Sequence, residues 1–150
     1  MRFRPLAALA LASALTAFCA TLFAQTRPSA PAYQLIVHTT NPVTAVDRKF
    51  LQDVFLKKVA TWPDGQVVRP VDLVPSSSVR RKFTEEVLNR SVEAVKGYWQ
   101  QRIFSGRDVP PPEFDTDEDV VRYVLKYSGA VGYVSAGATI TGTKALAVGW

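Results

Sequence analysis

One stretch near the middle of the chain, residues 67–88, constrains the fold more than any other. It begins with a β-branched run over residues 67–74, which predicts a strand that ends at Pro75. Three serines follow, and apolar residues then recur at helical spacing, at Val79, Phe83, Val87 and Leu88. A strand, a polar turn and a helix in succession predict an α/β arrangement in which the serines lie at the positive end of the helix dipole.

This serine turn consists of Ser76, Ser77 and Ser78. Serine is a preferred N-cap, so one hydroxyl is needed merely to start the helix. The first N–H groups of a helix have no partner within it, so the same turn can also hold an anion. Arg80 follows within one helical turn and can add a charge-assisted hydrogen bond, since we expect its side chain to lie off the apolar face of Val79 and Phe83. Capping alone and capping with an anion site both stay open.

The first 24 residues have the pattern of a secretory signal peptide. Arg2 and Arg4 give a positive start, and an apolar run over residues 6–23 leads to a small residue, Ala24. The alternative is an uncleaved anchor helix, because the apolar run is close to the length that spans a bilayer. Cleavage after Ala24 predicts a periplasmic or secreted protein whose mature chain has no membrane span.

The rest of the chain predicts a flexible lead-in over residues 25–32 and one domain over residues 33–150. Cleavage removes Cys19, the only cysteine, and His38 is the only histidine, so no metal or cofactor site is expected. Loss of two arginines from the 18 basic residues leaves 16 against 13 acidic ones, a net charge near +3. That charge is too small for a nucleic-acid-binding protein, so no nucleic-acid partner is expected.

Strand-like and helix-like segments alternate along this domain. The predicted strands cover residues 33–39, 67–74, 130–135 and 144–148. Further helices are predicted to begin at Asp47, Ser91 and Thr116. The apolar face of the helix after Ser91 consists of Val92, Val95, Trp99 and Ile103. The proline-rich segment 108–113 predicts an extended loop. This order predicts a single three-layer α/β domain with a mainly parallel or mixed sheet, whose ligands bind beyond the carboxyl ends of the strands.

Several short motifs together resemble the phosphate-type substrate-binding proteins of ABC transporters, which have the type 2 periplasmic-binding fold. They are Val54-Phe55-Leu56, Thr61-Trp62-Pro63-Asp64-Gly65, the serine turn with Arg80 and Phe83, Tyr98-Trp99, Phe104-Ser105-Gly106, and the Gly-Ala-Val-Gly-Tyr-Val run at residues 129–134. The resemblance implies a small anion such as phosphate as ligand, bound by Ser76, Ser77, Ser78 and Arg80, and an ABC permease or another envelope protein as partner.

Two features depart from that family. The family proteins have two lobes that close on the anion, whereas this chain is long enough for about one lobe. The family turn reads Ser-Gly-Thr, and an arginine commonly precedes it, whereas here Asp72 lies nearest that place. We therefore expect a single lobe of the type 2 periplasmic-binding fold.

The sequence thus predicts an exported, non-enzymatic, phosphate-type binding protein whose lone lobe binds its oxyanion weakly. No Ser–His–acid arrangement or phosphate-loop signature argues for an enzyme, and helix-start solvation explains the acidic residues 115–119. The alternative is a ligand-free interaction or sensor module of the cell envelope, docking through Trp62, the three prolines at 110–112 and Trp150. Exposed tryptophans in a contiguous apolar patch would favour that alternative.

Overall fold

The computed structural model describes residues 30–150, so the predicted signal peptide and the start of the lead-in lie outside the described residues. The strands are β1 (Tyr33–His38), β2 (Ala45–Asp47), β3 (Arg69–Pro70), β4 (Asp72–Leu73), β5 (Glu113–Phe114), β6 (Ala130–Ser135) and β7 (Thr143–Gly149). The helices are α1 (Arg48–Phe55), α2 (Ser78–Phe83), α3 (Val92–Phe104) and α4 (Asp117–Lys126). A π-helical segment, Thr84–Leu88, continues α2. Within residues 30–150 no helix combines the length and the hydrophobicity that crossing a membrane requires.

The main sheet has five strands in the order β2-β7-β1-β6-β3. Its central strand β1 is antiparallel to both neighbours, with Ile36 opposite Gly132 on one side and Ala145 on the other. The outer pairs, β2 with β7 and β3 with β6, are parallel. The predicted α/β fold is confirmed with a mixed sheet, since the reversed direction of β1 prevents a mainly parallel one.

Helices cover both faces of this sheet. Along β6, Tyr133 points to one face, where its ring stacks on Phe83 of α2 at 3.8 Å between centroids, with Phe55 of α1 beside them. The preceding residue, Gly132, faces the other side, where an added Cβ would lie 2.8 Å from Val120 of α4. Successive residues of a strand point to opposite faces, so α1 and α2 form one outer layer and α4 forms the other.

Local capping chemistry fixes where the helices begin. The side chains of Asp47, Ser91 and Thr116 each accept a hydrogen bond from the backbone amide three residues on, at 2.6, 3.1 and 3.2 Å. Each interaction satisfies one of the N–H groups that a helix start leaves without a partner. The three helix starts predicted from these residues are confirmed.

The strand predicted over residues 67–74 is divided into two short strands. β3 pairs with β6 of the main sheet, and β4 pairs with β5 in a separate two-stranded sheet. The change of sheet occurs at Val71, whose amide still donates to Val131, whereas the next amide, of Asp72, donates to the carbonyl of Pro112. The proline-rich segment predicted as a loop thus supplies a strand partner about 40 residues away, a pairing that local sequence does not encode.

Candidate functional site

A cleft of about 490 Å³ opens where β4, β5 and β6 end. One wall is the serine turn, the opposite wall is the start of α4 at residues 115–118, and Ser135 at the end of β6 lies between them. We call this the serine cleft. Ser76, Ser77 and Ser78 therefore lie together beyond the carboxyl ends of strands, the position in which α/β proteins bind ligands.

The three serines of the turn are not equivalent. Ser77 is the N-cap of α2, because its hydroxyl oxygen accepts a hydrogen bond from the amide of Arg80 at 3.3 Å. The Ser77 amide is also used, since it donates to the carbonyl of Val74 at 3.0 Å. Ser76 and Ser78 are exposed and line the cleft. The capping role is therefore present, and the outer two hydroxyls are accessible to a ligand.

The side chain of Arg80 lies on the packed side of α2 and does not line the serine cleft. It is 3% exposed, and its Nη1 lies 2.8 Å from Oδ2 of Asp72 and 3.2 Å from Oε1 of Glu113. The same nitrogen donates to the carbonyl of Leu73. The expectation that Arg80 lies off the packed face of the helix is wrong. The guanidinium lies in the interior because it pairs there with the buried carboxylate of Asp72.

Asp72 lies at the centre of a buried polar cluster. Its Oδ1 accepts hydrogen bonds from the Tyr133 hydroxyl and from the amide of Leu73, while Oδ2 pairs with Arg80. Burial raises the pKa of Asp72 to about 6, although Arg80 and the Tyr133 hydroxyl both act to lower it. Burial likewise raises the pKa of Tyr133 above its ordinary value, so its hydroxyl stays protonated and acts as the donor.

Sequence reasoning missed the partnership between Asp72 and Arg80. The sequence showed Asp72 only as the residue nearest the place of the family's arginine, whereas in the structure this carboxylate balances a buried guanidinium. One signal was available, since an aspartate within a β-branched run is expected to be buried and therefore to need a partner. Thr116 and Ser135 were also missed as cleft residues, because β5 was not predicted and the strand ends could not be aligned.

The walls of the serine cleft carry negative rather than positive side chains. Asp115, Asp117 and Glu118 line it, and no lysine, arginine or histidine does. Asp117 accepts a hydrogen bond from the amide of Ser135 at 3.1 Å. The positive ends of α2 and α4 partly offset these charges. The cleft therefore suits a ligand that both accepts hydrogen bonds from amides and hydroxyls and donates one to a carboxylate. Among residues 30–150, no group of three or more His, Cys, Asp or Glu side chains could hold a metal ion.

The residues suggested for protein docking fall into two groups. Trp62 is 2% exposed and donates its indole N–H to the carbonyl of Gly129 at 3.0 Å, so it belongs to the core. Pro111 is buried as well. Trp150 is 72% exposed. Two further apolar residues, Ile103 and Phe104, are 51% and 91% exposed. Exposed apolar side chains therefore exist, although Trp62 is not one of them.

Solved structures with a similar fold come from phosphate-binding proteins. One is an ABC-type phosphate transport receptor from Vibrio cholerae, 20% identical with a TM-score of 0.61 over 78% of this chain and 46% of that chain. Another, from Clostridium perfringens, is assigned as a phosphate ABC transporter substrate-binding protein and contains bound phosphate; it is 19% identical, with a TM-score of 0.61 over 78% of this chain and 44% of that one. A third is PstS from Borrelia burgdorferi, 12% identical with a TM-score of 0.61 over 78% of this chain and 47% of that one.

No protein-family model and no curated protein matches the sequence. The chain spans less than half the length of these solved structures, while most of its own residues take part in each match. The expected resemblance is confirmed at the level of the fold. The protein has the α/β fold of a single lobe of the phosphate-type periplasmic binding proteins.

Proposed function

We propose that this protein is an exported, non-enzymatic binding protein that holds a small oxyanion, phosphate first, in the serine cleft. We further propose that it works in the periplasm or outside the cell, with an ABC permease or another envelope protein as partner. The observation that carries this proposal is the position of the serine turn, which starts α2 at the carboxyl end of β4 and faces the start of α4 across the cleft.

The binding groups are those of the serine turn. The amides of Ser78 and Val79 lie in the first turn of α2 and have no partner within the helix, and the hydroxyls of Ser76 and Ser78 stand beside them. Arg80 contributes little charge, because Asp72 balances it 2.8 Å away. We therefore expect a dissociation constant on the order of 10⁻⁴ to 10⁻³ M, with protonated phosphate favoured over sulfate because only phosphate can donate to the cleft carboxylates.

Thermal unfolding in the presence of phosphate tests the proposal. A ligand concentration of ten times the dissociation constant increases the free energy of unfolding by about 1.4 kcal/mol. This raises Tm by roughly 3–6 °C for a domain of this size. Sulfate should raise Tm less, and chloride at matched ionic strength should do almost nothing, since chloride offers no converging set of acceptors. A wild-type protein whose Tm does not respond to tens of millimolar phosphate would end the proposal.

Two serine variants and one arginine variant separate a site from general electrostatics. Ser76→Ala and Ser78→Ala should each remove much of the phosphate-dependent shift, since both are exposed and neither caps the helix. Arg81→Ala removes an exposed charge next to the buried Arg80 and should leave most of the shift. Loss of the shift in Arg81→Ala but in neither serine variant would indicate nonspecific attraction of the anion.

The second candidate is the ligand-free interaction or sensor module. The exposure of Ile103 and Phe104 at the end of α3 favours it, because large apolar side chains in one place mark interaction surfaces. A protein that does not respond to phosphate but loses self-association or partner binding in Phe104→Ser would support this candidate. The same variant should leave a phosphate-dependent Tm shift intact if the serine cleft is the functional site.

A further inference from the structure

A second cavity, of about 420 Å³, lies beside α3. Its apolar walls come from Val92, Trp99 and Ile103 of the helix, together with Pro75 and Pro110 of two adjoining loops. The charged residues Arg80, Glu93, Lys96 and Glu113 complete it, together with Gln100. We call this cavity the α3 groove. It shares no lining residue with the serine cleft, so the two are separate sites.

The apolar lining belongs to the apolar face of α3, only part of which packs into the core. The sequence predicts Val92, Val95, Trp99 and Ile103 as one packed face, but only Val95 and Trp99 are buried. Ile103 is half exposed and Val92 is partly exposed, and both line the groove together with Trp99. A concave apolar surface of this volume, bounded by an aromatic ring and a few polar groups, has the character of a small-molecule site.

The four charged side chains that line the groove carry no net charge, and the buried carboxylate of Asp72, which contacts Arg80, adds one negative charge. Arg80 is balanced by Asp72, whose Oδ2 lies 2.8 Å from its Nη1. Glu113 provides a second carboxylate for the same guanidinium, with its Oε1 3.2 Å from Nη1 of Arg80. The side chain of Glu113 is 36% exposed to solvent. Glu93 and Lys96 on α3 offset one another. The cluster of Asp72, Arg80 and Glu113 therefore has one carboxylate more than it has cations, and Glu113 is its exposed member, next to the apolar walls.

We propose that the α3 groove binds a small organic cation, namely an ammonium group on an aromatic or aliphatic body. The ammonium donates to the carboxylate of Glu113, and the apolar body packs on Trp99 and Ile103. Organic anions of the same shape are disfavoured, because they would place a second negative charge beside Glu113. This site does not depend on oxyanion binding in the serine cleft.

Titration with three probes that share a phenethyl group and differ in charge tests the proposal. The probes are phenethylammonium, 2-phenylethanol and 3-phenylpropionate, which differ in charge but share the aromatic body. The measured signal is the indole N–H resonance of Trp99 in two-dimensional NMR spectra, with those of Trp62 and Trp150 as internal references. We expect a saturable shift of the Trp99 signal with phenethylammonium at low ionic strength, and binding of phenylpropionate weaker by about tenfold or more.

Variants with opposite expected effects keep the test independent of folding. Glu113→Gln should reduce the preference for the cation over the alcohol by about tenfold, while the alcohol still binds. Lys96→Gln, at an exposed position, should tighten phenethylammonium binding, because it removes a repelling charge from the rim. Ile103→Ser should weaken all three probes, and Glu118→Gln in the serine cleft should change none.

Three results would overturn the proposal. They are binding of phenylpropionate as tight as that of phenethylammonium, weaker cation binding in Lys96→Gln, and a Trp99 signal that does not saturate with any probe. Added phosphate, compared with chloride at matched ionic strength, should leave the phenethylammonium titration unchanged, so failure of this proposal and failure of oxyanion binding are distinguishable.

Discussion

The ion pair between Arg80 and Asp72 links α2 to β4 in the interior, and both side chains are almost completely buried. Removal of one partner leaves the other as an uncompensated buried charge. Arg80→Ala should therefore lower the free energy of unfolding at pH 8 by about 3–5 kcal/mol. Urea unfolding followed by circular dichroism measures this loss.

The matched control for that variant is its exposed neighbour. Arg81→Ala removes the same charge from the surface and should change the free energy of unfolding by less than about 0.5 kcal/mol. The double variant Asp72→Asn/Arg80→Met should recover most of the loss, since it removes both charges together. Similar small effects of Arg80→Ala and Arg81→Ala would show that the buried pair does not stabilise the fold.

The burial of Asp72 also predicts how the free energy of unfolding depends on pH. Burial raises its pKa from 3.8 to about 6, so between these values the folded protein binds more protons than the unfolded chain. The contribution of Asp72 to stability is complete below about pH 4 and is lost as the pH rises through 6. Relative to Asp72→Asn, the wild type should lose about 2–3 kcal/mol of unfolding free energy between pH 4 and pH 7. A difference that instead grows with pH would mean that Arg80 dominates and lowers the pKa.

At the scale of elements, the approach of β3 to the start of β6 depends on Gly129. The carbonyl of Gly129 accepts hydrogen bonds from the amide of Arg69 at 2.9 Å and from the indole of Trp62 at 3.0 Å. An added Cβ at Gly129 would overlap the carbonyl oxygen of Val67, and a backbone atom cannot move aside as a flexible side chain can. Gly129→Ala should therefore lower Tm strongly, with a loss of about 3 kcal/mol or more.

The control for this variant is another glycine in the same chain. Gly97 lies inside α3, and an added Cβ there would meet nothing within 4 Å. Gly97→Ala should raise the free energy of unfolding by about 0.5–1 kcal/mol, because alanine favours the helix. Thermal unfolding of the two variants side by side should give shifts of opposite sign. A Gly129→Ala variant that is as stable as the wild type would contradict the close approach at Gly129.

Features set by neighbouring residues could be predicted from the sequence, and features set by distant partners could not. Asp47, Ser91 and Thr116 mark helix starts because a cap satisfies an amide only three residues away. The division between β3 and β4 depends on β5, which is distant in sequence, so the pattern of residues 67–74 indicated one strand. Arg80 was placed outside the core for a different reason: its partner Asp72 is only eight residues earlier but lies on another element, and the helical pattern alone does not show a contact between elements.

For the whole molecule, the sequence makes a prediction about processing that involves residues before position 30. We expect the exported protein to begin near Gln25 and to contain no thiol, since the only cysteine, Cys19, lies in the predicted signal peptide. Intact-mass measurement of protein recovered from the periplasm, with and without a thiol-alkylating reagent, tests both points. A mass that retains the first 24 residues and one alkyl group would instead indicate an uncleaved anchor.

The position of β1 has a consequence for the order of folding. Although β1 is the first strand among residues 30–150, it is the centre of the main sheet, and its hydrogen-bonding partners are β6 and β7, about 100 residues later. Loop closure over such distances is slow, so contact order predicts that the sheet assembles late, after the helices between have formed. While the chain is being synthesised from its N-terminus, β1 remains without partners on both edges. Because β1 waits for β6 and β7, the main sheet cannot be completed until nearly all of the chain has been synthesised.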